Sequence, residues 1–470
     1  MEEEKYRYSQ EEEISRVIQR FEKMKRNNES YFFDVIEFET IIDYYLDRNN
    51  QSRAFEAASI ASRQHPNSVP IQLRNAKVLL DRGRVLEALR ILKKLETIEP
   101  GNHEIFVAKG TALGMMGDIQ GAIKMFDLAL SKDSDDQENI LFSITSILQN
   151  LNYYEQVIPY LKRLSEFEPD YAAHLYDLAY AYEKIQDYDN STGYYLKCID
   201  EEPFSDNAWF NLAMVYDRME KYEEALEAFD FALAINPRND MALFNKGMVL
   251  TVLGRNEEAI PIFHEYLQID SESFEGMTCL AECYYKTGNT PLAKKYFYEA
   301  VELAPEFSDP WTGLGIIELD GGDPDKSLAC LRKAAEFDSE NPEIWYYTGK
   351  AFRLKNNKKQ ALRSFRESLR LDPFYNEAWY ELAKIVIEEN QVQRTIPLLV
   401  KALKVIGDFP GINYLLATFY LLTGERSLAL KYLRTAIDLD ADAFKTFRNL
   451  FPVPVGDRNI SRILKQNNLI

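Results

Sequence analysis

The stretch from Asp206 to Pro237, DNAWFNLAMVYDRMEKYEEALEAFDFALAINP, constrains this chain more than any other. It holds two amphipathic runs on either side of a short polar link near Glu220. Trp209, Leu212 and Tyr216 share one helical face, and Ala225, Phe229 and Ala232 share the next. Side chains three and four residues apart lie on the same side of a helix, so each run reads as a helix with one buried face. Pro237 ends the second run, because proline lacks the amide that a continuing helix needs.

Shifting this frame by 34 residues finds the same pattern along most of the chain. Twelve units follow one another, starting at Val35, Val69, His103, Glu138, Ala172, Asp206, Asp240, Phe274, Ser308, Pro342, Asn376 and Pro410. One step, from His103 to Glu138, is 35 residues, and the turn near residues 134–137 can absorb the extra one. Three columns support the frame. The eighth position is Ala or Gly in ten of the twelve units, as expected where two helices cross closely. The twentieth is mostly small as well and reads as the other side of that crossing. The fifteenth is Gly in six units and Asn in four, the residues that tolerate the left-handed conformation ending a helix. Position thirty-two is proline in seven units, closing the second helix.

This period and pattern resemble the tetratricopeptide repeat, from Val35 to Asp442. The resemblance implies an all-α fold: a right-handed α-solenoid superhelix of about twelve helical hairpins. Residues 1–34 and 443–470 then read as capping segments, because a terminal unit has no neighbour to cover its apolar face. At the N-terminus, Ser9 and Glu12 have capping-box spacing, and Ile14, Val17, Ile18 and Phe21 share a face. At the C-terminus, AFKTFRNLF reads as a thirteenth helix stopped by Pro452. PVPVGD then leads to a short helix, NISRILKQ, with Ile460, Ile463 and Leu464 facing inward. That last helix reads as a cap, or as a detachable segment that docks in the chain's own groove or on a partner.

The chain is 46% hydrophobic and carries a net charge of −20 over 470 residues. It can bury a large core, and its acidity disfavours nucleic acid as a partner. No run of 18 apolar residues suggests a membrane span. The acidic start, MEEEKYRYSQEEE, does not read as a secretory signal. Cys198, Cys279, Cys283 and Cys330 form no paired framework, which points to the cytoplasm.

Catalytic signatures are weak. Gly313-Leu314-Gly315 lacks the third glycine of a dinucleotide loop and lies in an expected first helix, where close packing explains it. His264-Glu265 starts a zinc-protease spacing, but Gln268 stands where the second histidine belongs. Cys279 and Cys283 are one turn apart, with no second pair to complete a zinc site. The expectation is no enzyme, no cofactor and no metal.

The resemblance further implies that positions two, five, nine, twelve and thirteen line a concave groove. Position five is aromatic in seven units, at Phe142, Tyr176, Phe210, Phe244, Tyr346, Tyr380 and Tyr414, and position nine is Tyr180, Met214 and Met248 in three successive units. These side chains either grip an apolar peptide or pack between helices. A second candidate is a basic run from Lys350 to Arg370 in which Glu367 is the only acidic residue. Lys350 and Arg353 occupy groove positions and Lys384 joins them from the next unit. They can orient an acidic segment, or instead balance acidic neighbours. No unit has the Lys and Asn at positions five and nine by which some co-chaperones of this fold hold a terminal carboxylate.

The leading expectation is a non-enzymatic scaffold or adaptor that holds a peptide or helix of a partner protein in the groove. The runner-up is a structural subunit of a stable assembly, using the convex face or the ends. An RNA-binding helical repeat and an unrecognised enzyme have less support. The partner's identity and the oligomeric state are not encoded in any motif.

Overall fold

The computed structural model describes residues 2–132, 136–450, 458–467 and residue 469. Among these residues there are 27 helices and no strand. They form two compact units, Met1–Asn236 and Pro237–Ile470, here called the N-terminal and C-terminal halves. The division falls between the sixth and seventh repeats. No described helix is long and apolar enough to cross a membrane.

Each repeat is a helical hairpin. The first helices begin at Val35, Val69, His103, Gln137, Ala172, Asp206, Asp240, Phe274, Ser308, Pro342, Asn376 and Pro410. Eleven of these are the residues at which the 34-residue frame starts, and the fourth begins one residue early. The turn expected to absorb the extra residue there lies partly outside the described residues, at 133–135.

The turn inside each hairpin is fixed by one backbone conformation. All twelve residues at position fifteen have positive φ, from 52° at Asn390 to 86° at Gly424. This includes Gln186 (63°) and Glu220 (58°), where the residue types gave no hint of it. The left-handed region costs an ordinary L-residue about 1–2 kcal/mol. The two helices it joins must recover that through packing.

The packing inside a hairpin is a knob in a hole. A Cβ added at Gly349, position eight, would stand 2.5 Å from the ring of Phe365, position twenty-four of the same repeat. Gly247 and Phe263 repeat the arrangement at 2.7 Å. The missing side chain is the space the ring fills, and burying each ring stabilises its hairpin by roughly 1.5–3 kcal/mol. Position twenty also borders position eight: the Ser191 hydroxyl donates to the Ala179 carbonyl at 2.9 Å.

All four tryptophans fall at position four, and each indole N–H donates to the carbonyl six residues upstream. Trp209 bonds Pro203 at 3.0 Å, and Trp311, Trp345 and Trp379 bond Pro305, Ser339 and Pro373 at 2.9 Å. Position thirty-two of one repeat is thereby clamped to the first helix of the next.

At the N-terminus, the Glu2–Asn27 helix buries Ile18, Phe21 and Met24, while Ile14 is exposed. Phe21 lies 5.9 Å from Phe33 and 6.1 Å from Tyr45, which covers the first hairpin. Ser9 lies inside this helix and does not start it. The strong helix formers around it carry the helix back past the expected cap. At the other end, the expected thirteenth helix shrinks to the single turn Phe444–Phe447. Pro452 and the PVPVGD segment lie outside the described residues, and the last helix is Arg458–Gln466.

Candidate functional site

In the N-terminal half, Tyr176, Tyr180, Phe210 and Met214 are all half-buried on first helices. Tyr176 is already engaged. Its ring meets Tyr195 edge-on at 5.7 Å, and its hydroxyl accepts a hydrogen bond from Asn211 at 2.6 Å. Tyr195 donates to the buried carboxylate of Glu183 at 3.3 Å, and burial pushes the Tyr195 hydroxyl's pKa far up. Tyr180 contacts Tyr154 at 5.9 Å and lies under the Lys184 ammonium at 4.5 Å. Phe210 leans on Phe229 at 6.1 Å. The position-five ring of each of these repeats therefore supports the position-twenty-four ring of the same hairpin.

In the C-terminal half, Phe244 follows that rule, 6.1 Å from Phe263. Tyr346 follows it too, 6.0 Å from Phe365, and is buried. Met248 differs: it is 36% exposed, and its sulfur accepts the Cys279 thiol at 3.5 Å. On the same face of the Asp240–Val252 helix, Met241 and Val252 are 58% and 60% exposed. Sequence reasoning named Met248 but not its two companions. Their seven- and four-residue spacing from Met248 was the available signal.

The structure brings Lys350, Arg353 and Lys384 together around one cleft of about 550 Å³. Leu319 and Leu354 give it an apolar lining, and Asp320 and Glu381 add acidic groups. Half of the basic run is paired, and so is Lys384. Arg353 bonds Glu381 and reaches Glu388 at 3.0 Å, Lys384 meets Glu381 at 3.1 Å, and Lys358 meets Glu389 at 2.8 Å. Lys355 pairs with Asp325 and Arg370 with Glu367. Lys350 has no such carboxylate; its ammonium lies 5.0 Å from the Tyr347 ring and 5.6 Å from Tyr346. Burial pushes the Tyr347 hydroxyl up to about 12, so these rings stay neutral beneath the cation. Tyr380 lies under the Lys384 ammonium at 5.0 Å and is 6.4 Å from Phe447 of the C-terminal segment.

The residues considered for chemistry have structural surroundings. Gly313 and Gly315 lie against Phe297 and Leu331. Burial raises the Cys279 thiol to about 12 and the Cys283 thiol to about 11, which keeps both protonated at neutral pH. Among the described residues no group of three or more His, Cys, Asp or Glu is arranged to hold a metal ion.

Models of the tetratricopeptide repeat match residues 207–239, residues 312–376, and residues 175–204, 279–307 and 410–442. Each match falls on hairpins that the structure builds in one frame. The chain belongs to the tetratricopeptide-repeat family. This tetratricopeptide-repeat protein is 24% identical over 151 residues to Anaphase-promoting complex subunit 3 of Schizosaccharomyces pombe, covering 32% of this chain and 23% of that one. It is 25% identical over 174 residues to Antiviral innate immune response effector IFIT1 of Homo sapiens, covering 33% of this chain and 36% of that one. The matches thus span about a quarter to a third of those relatives' lengths. Among solved structures it is similar to the APC/C hetero-tetramer Cut9–Hcn1, with 13% identity, 88% of this chain, 89% of that chain and a TM-score of 0.38.

Proposed function

We propose that this tetratricopeptide-repeat protein is a non-enzymatic interaction scaffold that holds a segment of a partner protein on the first-helix face of its C-terminal half. The observation that carries this reading is the exposed apolar stripe Met241, Met248 and Val252 on one helix. A contiguous apolar surface left in water is a place where a partner's side chains gain by burial. Methionine suits such a surface, because its unbranched side chain adapts to the shape it meets. Lys350, held over two tyrosines without a carboxylate partner, is placed to orient an acidic group of the same segment. Arg353 and Lys384 act through Glu381, which they share. Tyr180 and Met214 offer a separate, half-buried contact in the N-terminal half.

The test is affinity capture from a lysate of the source cell at low salt, with retained proteins identified by mass spectrometry. Replacing Met241 and Met248 together by alanine should cut capture of a partner at least tenfold while helicity by circular dichroism is unchanged. The Tyr180→Ala, Met214→Ala pair provides the parallel test of the N-terminal half. Equal capture by wild type and both variants would sink the reading. It would favour the second one, a structural subunit of a stable assembly, which the name of the Schizosaccharomyces pombe relative suggests.

A further inference from the structure

The Pro410–Leu422 helix, PGINYLLATFYLL, is unlike the other eleven first helices: it alone has no charged residue. Nine consecutive residues, Gly411 to Phe419, are buried. A helix apolar all round needs cover on every side. Its second helix and the preceding repeat cover only part of it. The rest is covered by the chain's own C-terminal segment. The Phe444–Phe447 turn packs across two first helices, Asn376–Glu388 and Pro410–Leu422. A thirteenth repeat would instead stack on the preceding second helix, as the first helices of repeats 8 to 12 do.

The contacts fall on the position-five column. Phe447 stacks on Tyr414 at 5.8 Å and meets Tyr380 edge-on at 6.4 Å, and Phe444 lies 5.6 Å from Tyr414. The Tyr414 hydroxyl donates to the Asp440 carbonyl at 2.9 Å, which pins the chain where it turns back. Ile460 and Leu464 of the Arg458–Gln466 helix are buried in the same apolar cluster. Lys445, Arg448, Arg462 and Lys465 point outward. From residue 441 to residue 470 five basic residues stand against two acidic ones, in a chain whose net charge is −20.

We propose that the Phe444–Phe447 turn and the Arg458–Gln466 helix are a releasable internal ligand. They occupy a docking face on repeats 11 and 12. Once vacated, that face takes a basic segment of a partner protein that carries two aromatic residues three apart. Two features make release feasible. Helices of four and nine residues do not persist alone, so the segment is held by its few apolar anchors. The hairpin beneath is also held together directly, because the Pro410–Leu422 and Arg426–Leu439 helices pack on each other along their length. This inference stands apart from the groove reading above, because it uses neither the methionine stripe nor Lys350.

The experiment uses the full chain and a fluorescent synthetic peptide of residues 441–467, with binding read by anisotropy. The chain with Phe444→Ala and Phe447→Ala should bind this peptide at least tenfold more tightly than wild type does, and should not bind a peptide lacking both phenylalanines. Equal binding by wild type and variant, or no binding by a folded variant, would overturn the proposal. Should the variant not fold, hydrogen exchange on wild type decides. Amides of Arg458–Gln466 should exchange at least tenfold faster than those of Pro410–Leu422. Equal protection would make the segment a fixed part of the C-terminal half and overturn its release.

Discussion

The first helices of repeats 7 and 12 occupy the same place in the same frame and live in opposite surroundings. On Asp240–Val252, Met241, Met248 and Val252 stand in water; on Pro410–Leu422, Gly411, Tyr414 and Thr418 are fully enclosed. The repeat fixes which residues face that side, through a backbone that hardly varies. It does not fix whether anything covers them. Cover is written in the charge pattern of the whole helix: Asp240–Val252 keeps Asp240 and Lys246, whereas Pro410–Leu422 has no charged residue.

Placing a lysine at position nine of each helix should produce the largest contrast. Thr418→Lys puts an ammonium where the native hydroxyl is fully buried and bonded to the Tyr414 carbonyl at 2.9 Å. An uncompensated buried charge costs about 3–5 kcal/mol. The expected outcome is a drop of that size in the stability of the C-terminal half by urea unfolding, or loss of protection in the Arg458–Gln466 helix as the segment is expelled. Met248→Lys should change stability by less than about 0.5 kcal/mol, as surface substitutions do. Similar values for the two variants would mean that the two faces are covered alike.

A smaller effect tests the part of the comparison that does not vary. Glu220 holds φ at 58°, as the six position-fifteen glycines hold theirs. Glu220→Gly removes the left-handed penalty and adds unfolded-state entropy, for a net stabilisation of about 0.5–1 kcal/mol. A destabilising result would show that the Glu220 side chain holds the turn by some contact of its own.

These two columns also mark how far the sequence could be read. The period, the helix starts and the close crossing at position eight are periodic features of residue size, so they survive in a single sequence. Gln186 and Glu220 were opaque, because the packing of the two helices that each one joins imposes a conformation that the residue itself does not favour. Tyr176 and Tyr346 were ambiguous between binding and packing for a related reason. An aromatic at position five supports the position-twenty-four ring whatever else it does. The basic run at Lys350–Arg370 looked free because its partners Asp325, Glu381, Glu388 and Glu389 lie on other helices. The tryptophan clamp was legible but unread: all four tryptophans share one position six residues after position thirty-two.

The smallest effect compares one motif in two repeats. Tyr284 and Tyr296 of repeat 8 stack at 5.8 Å, and Tyr420 and Tyr432 of repeat 12 stack at 5.6 Å in the same positions. Only the first pair has a histidine on it: His264 makes a 2.8 Å hydrogen bond to the Tyr284 hydroxyl and meets both rings edge-on. The equivalent residue before repeat 12 is Val400. Burial, with Lys295 nearby, lowers the His264 pKa below 6.5. The unfolded chain therefore binds the proton more readily than the folded one, and stability rises with pH in that range. His264 contributes its full stabilisation above pH 6.5 and loses it as the pH falls from there through its folded value. Other groups titrate over the same range, so the readout is the difference between wild type and His264→Gln. The unfolding midpoint of the wild type's C-terminal half should fall more steeply between pH 7 and pH 5 than that of the variant. Parallel slopes would mean that the ring is as well solvated in the folded chain as in the unfolded one.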